Sequence, residues 1–474
     1  MIPYTQKAYR LLHEGSIALA EVEANGIRID VDYLTKTIRK MDCRIERLQS
    51  AIGHSPVIDH WKGYFKSRTN LNSTDQLGYV LFEIMGYDCP AYTPTGRYKT
   101  DEKTLSTIDN LFVKDYLKIK KLQHAQNTYF RGIQREVVNG FIHPSFNLHL
   151  VRTFRSSSDS PNFQNIPIRD PKIGKLIRQA FIPRPGRQIV ELDYSGIEVC
   201  IAACYHQDPK LIEYLKDDTK DMHRDMAQEC YGLSSQDMTI ADKNNSEEVR
   251  RAKNIRYCGK NMFVFPQFYG DWYIDCARNL WTAIDNMGLR CADGTPVKEH
   301  LRRIGITELG DLNPMERPRK GTFEYRIQKV EHRFWNKRFP TYNRWKKTWV
   351  DQYQKQGWMK TKTGFICQGF AKRNEIINYP VQGSAFHCLL WSLIRLQNLI
   401  RKRKMKTLII GQIHDSIVAD VPEKEMEEFL QLAQHIMVDG LKKAWKWINV
   451  PIEIEAEVTP INGNWFQKKE RKIT

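Results

Sequence analysis

The chain has 474 residues, 41% of them hydrophobic and 27% charged, which are the proportions of a globular protein with room for two or three domains and not of a disordered chain. A net charge of +18 and an isoelectric point near 9.3 argue against an enzyme for small neutral substrates and suit a protein that neutralises phosphates along a nucleic-acid backbone. Lysine kept only for solubility is the bland alternative. Ten cysteines without a CxxC pair or zinc-like Cys/His spacing point to reduced thiols, and Cys200 and Cys204 read as small packed hydrophobes. No apolar run reaches membrane-spanning length, so the expectation is a cytoplasmic protein with no membrane partner. No Walker A sequence and no internal repeat occurs.

In chain order, Ala18 to Asn25 has helical spacing with a stop at Asn25-Gly26, and a second helix is expected through Tyr33 and Ile38 to Leu48. Ser73 or Asp75 suits the N-cap of a helix carrying Leu77, Leu81 and Phe82. Tyr116 to Val138 reads as a long helix with Leu117, Leu122 and Ile133 as apolar positions. Lys118, Lys120, Lys121, His124 and Arg131 give it a basic side, either facing phosphates or simply solvated. From Arg152 to Pro167 there are too many turn-formers and amides for a helix. An ordered loop carrying Arg155, Gln164 and Asn165 suits hydrogen bonds to the minor-groove acceptors that every base pair presents.

Gln188 to Leu192 is a strand entering Asp193-Tyr194-Ser195-Gly196-Ile197-Glu198. After Asp221-Met222-His223-Arg224, a basic helical stretch leads to Arg256 and Lys260, four apart, so both cations leave one helix face. A planar fork plus a point charge is what a triphosphate needs. Residues 271–330, with Gly288, Gly294-Thr295-Pro296 and Pro314 to Pro318, read as an insertion. Asn378-Tyr379-Pro380-Val381-Gln382-Gly383 comes next, and then Leu408-Ile409-Ile410 and Ile417-Val418-Ala419 flank His414-Asp415 as two strands at a tight turn.

Asp193 and Asp415 thus each end a β-branched, apolar run. If folding brings the two tips together, they form a paired-carboxylate site for two divalent cations, which ~3.5–4 Å apart clamp the attacking and leaving oxygens of an in-line phosphoryl displacement. Oxygen ligands select Mg²⁺. Taken singly, each aspartate also fits a turn former or a helix cap.

With these motifs in collinear order along essentially the whole chain, the sequence resembles the family A DNA polymerases, the group of bacterial DNA polymerase I and many phage replicases. The resemblance implies an α+β right-hand fold with an antiparallel-sheet palm, helical fingers and a helical thumb. The expected division is a thumb with the N-terminal entry segment over 1–150 and the first part of the palm over 151–210. Fingers with an insertion around 280–330 occupy 211–365, and the second part of the palm occupies 366–474. It implies that Asp193 and Asp415 hold two Mg²⁺ with help from the Tyr194 carbonyl, that Arg256, Lys260 and His223 meet the incoming nucleotide, and that His414 positions the primer end. Glu198 would crowd the 2′ side of the incoming sugar, or else only pair with a fingers residue. Arg155, Gln164, Asn165, Asn378, Gln382 and Lys121 fall on the DNA.

The family's fingers pattern, RxxxKxxx(F/Y)xxxYG, slips here. Strict spacing from Lys260 puts Val264 at the base-stacking position, whereas Phe265-x-x-x-Tyr269-Gly270 fits if one residue is inserted, taken up by a bulge or by a kink at Pro266. Phe263 is the other candidate. Ser416 stands where the family usually has glutamate, and Gly196 where it often has glutamine.

The implied activity is addition of dNTPs to a primer 3′ end opposite a template in phage replication, by a monomer in the host cytoplasm. Its partners would be primer-template DNA and a separate exonuclease or replisome proteins. The polymerase-like region begins within the first two dozen residues, which leaves no room for the upstream 3′–5′ exonuclease domain common in the family. A single-subunit RNA polymerase is the enzymatic alternative, with Glu198 and the thumb-like segment against it. A catalytically silent DNA-binding relative is the other, with the intact Asp193, Asp415, Arg256 and Lys260 set against it.

Overall fold

A computed structural model describes residues 2–473 apart from 168–169, 218, 241 and 243–244. Thr5 caps α1 (Gln6–Asn25) by accepting the Ala8 N–H, and the helix stops where Gly26 takes a φ of 64°. This helix lies on the long C-terminal helix Arg373–Lys402 and the sheet beside it. Glu21 accepts from Gln397 and Arg401, and Asn25 Nδ2 donates to the Ile409 carbonyl at 2.9 Å. The N-terminal entry segment thus packs on the C-terminal half of the chain, and through Ile27–Arg28 and Glu23 it also meets residues 141–146.

Helices α2 (Val31–Gly53) and α3 (Leu111–Ala125) form a stalk tied at Asp42, which accepts from Gln126 Nε2 and Arg131 Nη2, each at 2.8 Å. Helix α3 begins at Leu111, where Asn110 caps it, and runs through a π-helical turn at Gln126–Phe130 to Glu136. Leu117 and Leu122 are half-buried and Ile133 buried, as the spacing predicts. Beyond the stalk, Trp61, Leu77, Leu81, Leu105 and Phe112 build a second hydrophobic core apart from the main one. Ser73 supplies the N-cap there, accepting from Gln76 N–H at 3.2 Å, while Asp75 pairs with Arg97.

Five antiparallel strands, β1 (Arg187–Tyr194), β2 (Leu408–Ile413), β3 (Ser416–Pro422), β4 (Ile454–Val458) and β5 (Lys469–Arg471), make the palm sheet in the order β5-β4-β1-β3-β2. Side chains alternate along central β1. Val190, Leu192 and Tyr194 are buried on one face, where the Tyr194 hydroxyl meets Ser392 Oγ at 2.8 Å and the Met437 carbonyl at 2.9 Å. Glu191 and Asp193 take the other face. There Glu191 accepts from Trp465 Nε1 at 2.9 Å and Lys468 Nζ at 2.6 Å, and Trp465 stacks 5.4 Å from Phe163 of the 152–167 loop.

Gly196, at φ 64°, turns the chain from β1 into α4 (Ile197–His206). The fingers come next: α5 (Met222–Tyr231), α6 (Ser246–Gly259), α7 (Tyr273–Asn286), α8 (Phe323–Arg333) and α9 (Pro340–Gln356), around an aromatic core of Phe263, Phe268, Phe334 and Phe339. Helices α5 and α6 cross at Gly259, where a Cβ would collide with the His223 carbonyl and lie 2.9 Å from Ala227 Cβ. Between α7 and α8 the insertion holds a short helix, Val297–Arg303, and is anchored to α5 by His300 on the Gly232 carbonyl at 2.9 Å. Helix α10 (Arg373–Lys402) then returns to the palm. No helix among the described residues is long and apolar enough to cross a membrane.

Asp420 on β3 is 1% exposed, and its Oδ2 accepts from Arg184 Nη1 at 2.8 Å and Arg184 N–H at 3.2 Å. Arg184→Met keeps the stem packing but leaves a buried carboxylate without its countercharge. The variant should lose about 3–5 kcal/mol of stability, read as a lower urea midpoint at unchanged slope.

Candidate active site at the tip of the sheet

Asp193 lies one residue from the end of β1, and Asp415 is the second residue of the two-residue turn joining β2 to β3. Register brings them together: Ser416 pairs with both Ile413 and Asp193, and the Tyr194 N–H donates to the Asp415 carbonyl at 3.4 Å. Burial pushes the Asp193 carboxyl well above the ordinary range, and the charges of Asp415, Glu191 and Glu455 add to it against the pull of Lys468. Asp415 is raised too, chiefly by burial, with its own N–H and Arg155 opposing and Glu198 adding. Two half-buried carboxylates that repel each other are a candidate cation site. The side chain of Tyr194 is tied down behind the sheet, which leaves its carbonyl as the only part for a metal. Among the described residues no group of three or more His, Cys, Asp and Glu side chains is arranged to hold an ion. Mg²⁺ tolerates so sparse a protein shell because it keeps waters and takes substrate oxygens. The Ser416 hydroxyl donates to the Ile413 carbonyl at 3.0 Å inside the hairpin and adds no ligand.

The turn itself is braced from below. His414 takes a φ of 49°, and its carbonyl accepts from Gln412 Nε2 at 2.8 Å. Gln412 Oε1 in turn accepts from Gln164 Nε2 at 2.7 Å and from the Ser156 hydroxyl. Gln164 is thus buried beneath the His414-Asp415 turn with its amide nitrogen engaged, whereas neighbouring Asn165 is exposed. Sequence reasoning missed Gln412. The signal was an amide interrupting an otherwise apolar strand.

Beside the aspartates opens a cleft of about 460 Å³ between α4, α5, α6 and the sheet, lined among others by Asp221, His223, Arg256, Lys260, Phe265 and Glu455. Arg256 and Lys260 leave the same face of α6, and Arg256 Nε donates to Asp221 Oδ2 at 2.5 Å. Burial, then the charges of Arg256 and Lys260, drive the His223 imidazole down to about 4 against the pull of Asp221, so it is neutral at pH 7.

The slipped register has a structural cause. Lys260–Val264 forms a π-helical turn, which absorbs one residue, and it leads into a helical turn Phe265–Tyr269, ending at Gly270 with φ 94°. Pro266 sits at the start of that turn, where its missing N–H costs little. Phe263 and Val264 consequently point into the core at 0% exposure, while Phe265 faces the cleft, its ring 5.6 Å edge-on from His223 and 5.2 Å from Lys260 Nζ. Tyr269 hydroxyl donates to Glu198 Oε2 at 2.7 Å, and Arg155 Nη1 donates to Glu198 Oε1 at 3.1 Å. Glu198, at the start of α4, therefore joins the 152–167 loop to the fingers.

The remaining DNA-side residues scatter. Asn378 on α10 donates to the Tyr269 carbonyl at 3.2 Å, and Gln382 is half-buried one turn further on. Lys121 on α3 pairs with Asp170 at 2.6 Å, Lys118 with Asp115, and Arg131 with Asp42. The basic side of that helix is thus partly neutralised from within.

The model of the family described as DNA polymerase family A matches residues 32–259 and 328–466. The stretch left out begins at the π-helical turn and takes in the insertion. The DNA polymerase of Bacillus phage SP01 is 26% identical over 514 aligned residues, covering 96% of this chain and 50% of that protein. DNA polymerase I of Lactococcus lactis subsp. cremoris (strain MG1363) is 28% identical, covering 84% of this chain and 40% of its own length. The chain spans about half the length of the curated relatives it matches. Among solved structures, the POL domain of Pol1 from M. smegmatis in complex with DNA primer-template and dNTP shares the fold at a TM-score of 0.72 and 24% identity, covering 96% of this chain and 70% of that one. With the family's palm, thumb and fingers present and its model matched over most of the sequence, the chain belongs to DNA polymerase family A.

Proposed function

We propose that the protein is a template-directed DNA polymerase that extends a primer 3′ end with dNTPs, and that it serves phage DNA replication in the host cytoplasm. One observation carries the reading: the paired carboxylates Asp193 and Asp415 adjoin, through Ser195 and the Asp193 ladder partner Glu455, a cleft that Arg256 and Lys260 also line. A chain that must hold both a nucleophile's metals and a triphosphate tail needs that combination. The phage role is supported by the likeness to the phage SP01 polymerase.

In this mechanism the primer 3′-oxygen forms a bond to the α-phosphorus of the dNTP. The bond from that phosphorus to the bridging oxygen breaks, and pyrophosphate leaves with the electron pair. Two Mg²⁺ ions, when bound, would lower the pKa of the attacking hydroxyl and offset charge on the phosphates. Asp193, Asp415 and the Tyr194 carbonyl would hold them. Arg256 and Lys260 draw the triphosphate tail along α6, and His223, uncharged, offers it a hydrogen bond. Phe265 provides a face for the base, and Glu198, fixed by Arg155 and Tyr269, stands where the sugar must pass. Arg155, Asn165, Asn378 and Gln382 would meet the duplex minor groove, with His414 at the primer end.

Asp193→Ala and Asp415→Ala should each lower primer extension by at least roughly 10³-fold while duplex affinity, measured by titration at fixed salt, stays within about twofold. Extension retained by either variant would overturn the metal assignment, and a wild type that binds duplex but never extends it would favour the silent DNA-binding alternative.

Phe265→Ala should raise KM for dNTP about tenfold, the scale of one lost base-stacking contact, whereas Phe263→Ala should act through stability. Equal KM values in wild type and Phe265→Ala would return the stacking role to another side chain.

Sugar choice separates this reading from the RNA polymerase alternative. Wild type should prefer dNTPs, and Glu198→Ala should erode the preference mainly by improving use of rNTPs, because a clash discriminates against an added hydroxyl better than attraction does. Equal extension by wild type with both nucleotide pools would sink the gate and the DNA polymerase assignment together.

A further inference from the structure

The two cations of the nucleotide cleft are not equivalent. Among the described residues no carboxylate pairs with Lys260, whose Nζ rests 5.2 Å over the Phe265 ring. Arg256, by contrast, already has an anion: its Nε donates to Asp221 Oδ2 at 2.5 Å, with both side chains partly exposed. The other oxygen of the same carboxylate has a separate task. Oδ1 accepts from the His223 N–H at 3.0 Å and the Arg224 N–H at 3.1 Å and so caps α5. Burial alone would raise this carboxyl, but the hydrogen bonds from Arg256 and the Arg224 N–H bring it below its ordinary range, so it is ionised at neutral pH.

The surroundings keep this pair in register. Gly259, three residues after Arg256, packs directly on the His223 carbonyl, two residues after Asp221. The backbones that carry Arg256 and Asp221 are therefore fixed relative to each other, and Arg256 can change partner by side-chain rotation alone. A triphosphate entering the cleft meets Lys260 unpaired and Arg256 already neutralised, and it must displace a carboxylate that also repels it.

We propose that Asp221 is a positioning residue that holds the Arg256 guanidinium in the empty cleft and hands it over to the triphosphate, so that its charge sets how tightly the cleft retains triphosphate and pyrophosphate. The inference rests on the reading of this cleft as the nucleotide site, and it concerns binding, so it can be tested apart from catalysis.

Inorganic tripolyphosphate is titrated calorimetrically into the wild type, Asp221→Asn, Asp221→Ser, Arg256→Ala and the Asp221→Asn/Arg256→Ala double variant, with primer extension alongside. Asparagine and serine both cap helices, so α5 keeps its start and the two substitutions guard against a folding failure of either. Both Asp221 variants should bind tripolyphosphate about fivefold more tightly than wild type, the scale of one partly exposed ion pair. In the Arg256→Ala background, Asp221→Asn should change nothing. In extension assays KM for dNTP should fall while kcat does not rise, a split that loss of a helix cap does not produce. Unchanged or weaker binding in both variants overturns the proposal, as does tightening that persists without Arg256, which would be plain repulsion. A wild type that binds no tripolyphosphate also overturns it. One that binds tripolyphosphate but extends no primer sinks the polymerase reading and leaves the handover standing.

Discussion

Asp193 and Asp415 repel each other across the β1–β3 ladder, and much of the molecule is arranged to keep them together. Both carboxyls sit above their ordinary range, so the fold is favoured while they are protonated and loses that favour as pH rises through those raised values. Once Asp193, pushed up to about 8, has lost its proton, the repulsion falls on the sheet tip. Seven residues of paired β3, from Ser416 to Pro422, oppose it through their register with β1. The amide bridge from Gln164 through Gln412 to the His414 carbonyl opposes it at the turn. A divalent cation would relieve the repulsion at its source, which is why a strained acidic pair at the end of a rigid sheet is an argument for metal binding and not for stability.

The second constraint is the distance between that acidic tip and the basic face of α6. Because α6 is a rigid helix crossed tightly by α5 at Gly259, between Arg256 and Lys260, the positions of these two cations are set by backbone packing and not by their own side chains. The π-helical turn after Lys260 then sets which aromatic faces the cleft. Without the extra residue it absorbs, Phe265 would rotate by about a hundred degrees around the helix and a core residue would face the cleft. The same turn brings Tyr269 within reach of Glu198, and Glu198 is held from the other side by Arg155. Loop, palm and fingers thus meet at one carboxylate next to the nucleotide site.

Much of this was legible in the sequence. The strand ending at Asp193, the hairpin around His414-Asp415, the i,i+4 pair on α6 and the Asn-Gly stop of α1 arise from local pattern and turn chemistry, and the structure has each of them. What could not be read was the partner of each polar group. Lys121 and Arg131 look like phosphate ligands by spacing, yet Asp170 and Asp42, distant in sequence, hold them. Gln164 looks like a minor-groove donor, yet its amide braces the turn. The slip between Lys260 and Tyr269 was visible as a counting problem, but a bulge, a proline kink and a different aromatic all solve it on paper. Only the packing of Phe263 and Val264 into the core selects the bulge. The N-terminal helix was readable as a helix, but its packing on Gln397, Arg401 and the Ile409 carbonyl was not, because an amphipathic stripe does not say which surface covers it.

The charge of the chain has to be reread in the same light. The +18 is a sum over 73 basic and 55 acidic side chains, and it does not say which cations are available. Affinity for a phosphate backbone arises largely from counterions released when a lysine or arginine replaces them. A cation already paired with an internal carboxylate must first leave that anion before it can displace a counterion condensed on the phosphates. Exposed pairs are worth only about 0–1 kcal/mol, so such an exchange is not forbidden, but it contributes little net gain. Lys118, Lys121, Arg131 and Arg256 therefore count for less than their formal charge, and the unpaired Lys260 for its full value. The electrostatic pull of this protein on a nucleic acid is governed by where its carboxylates are not, which is a property of the fold and cannot be counted along the chain.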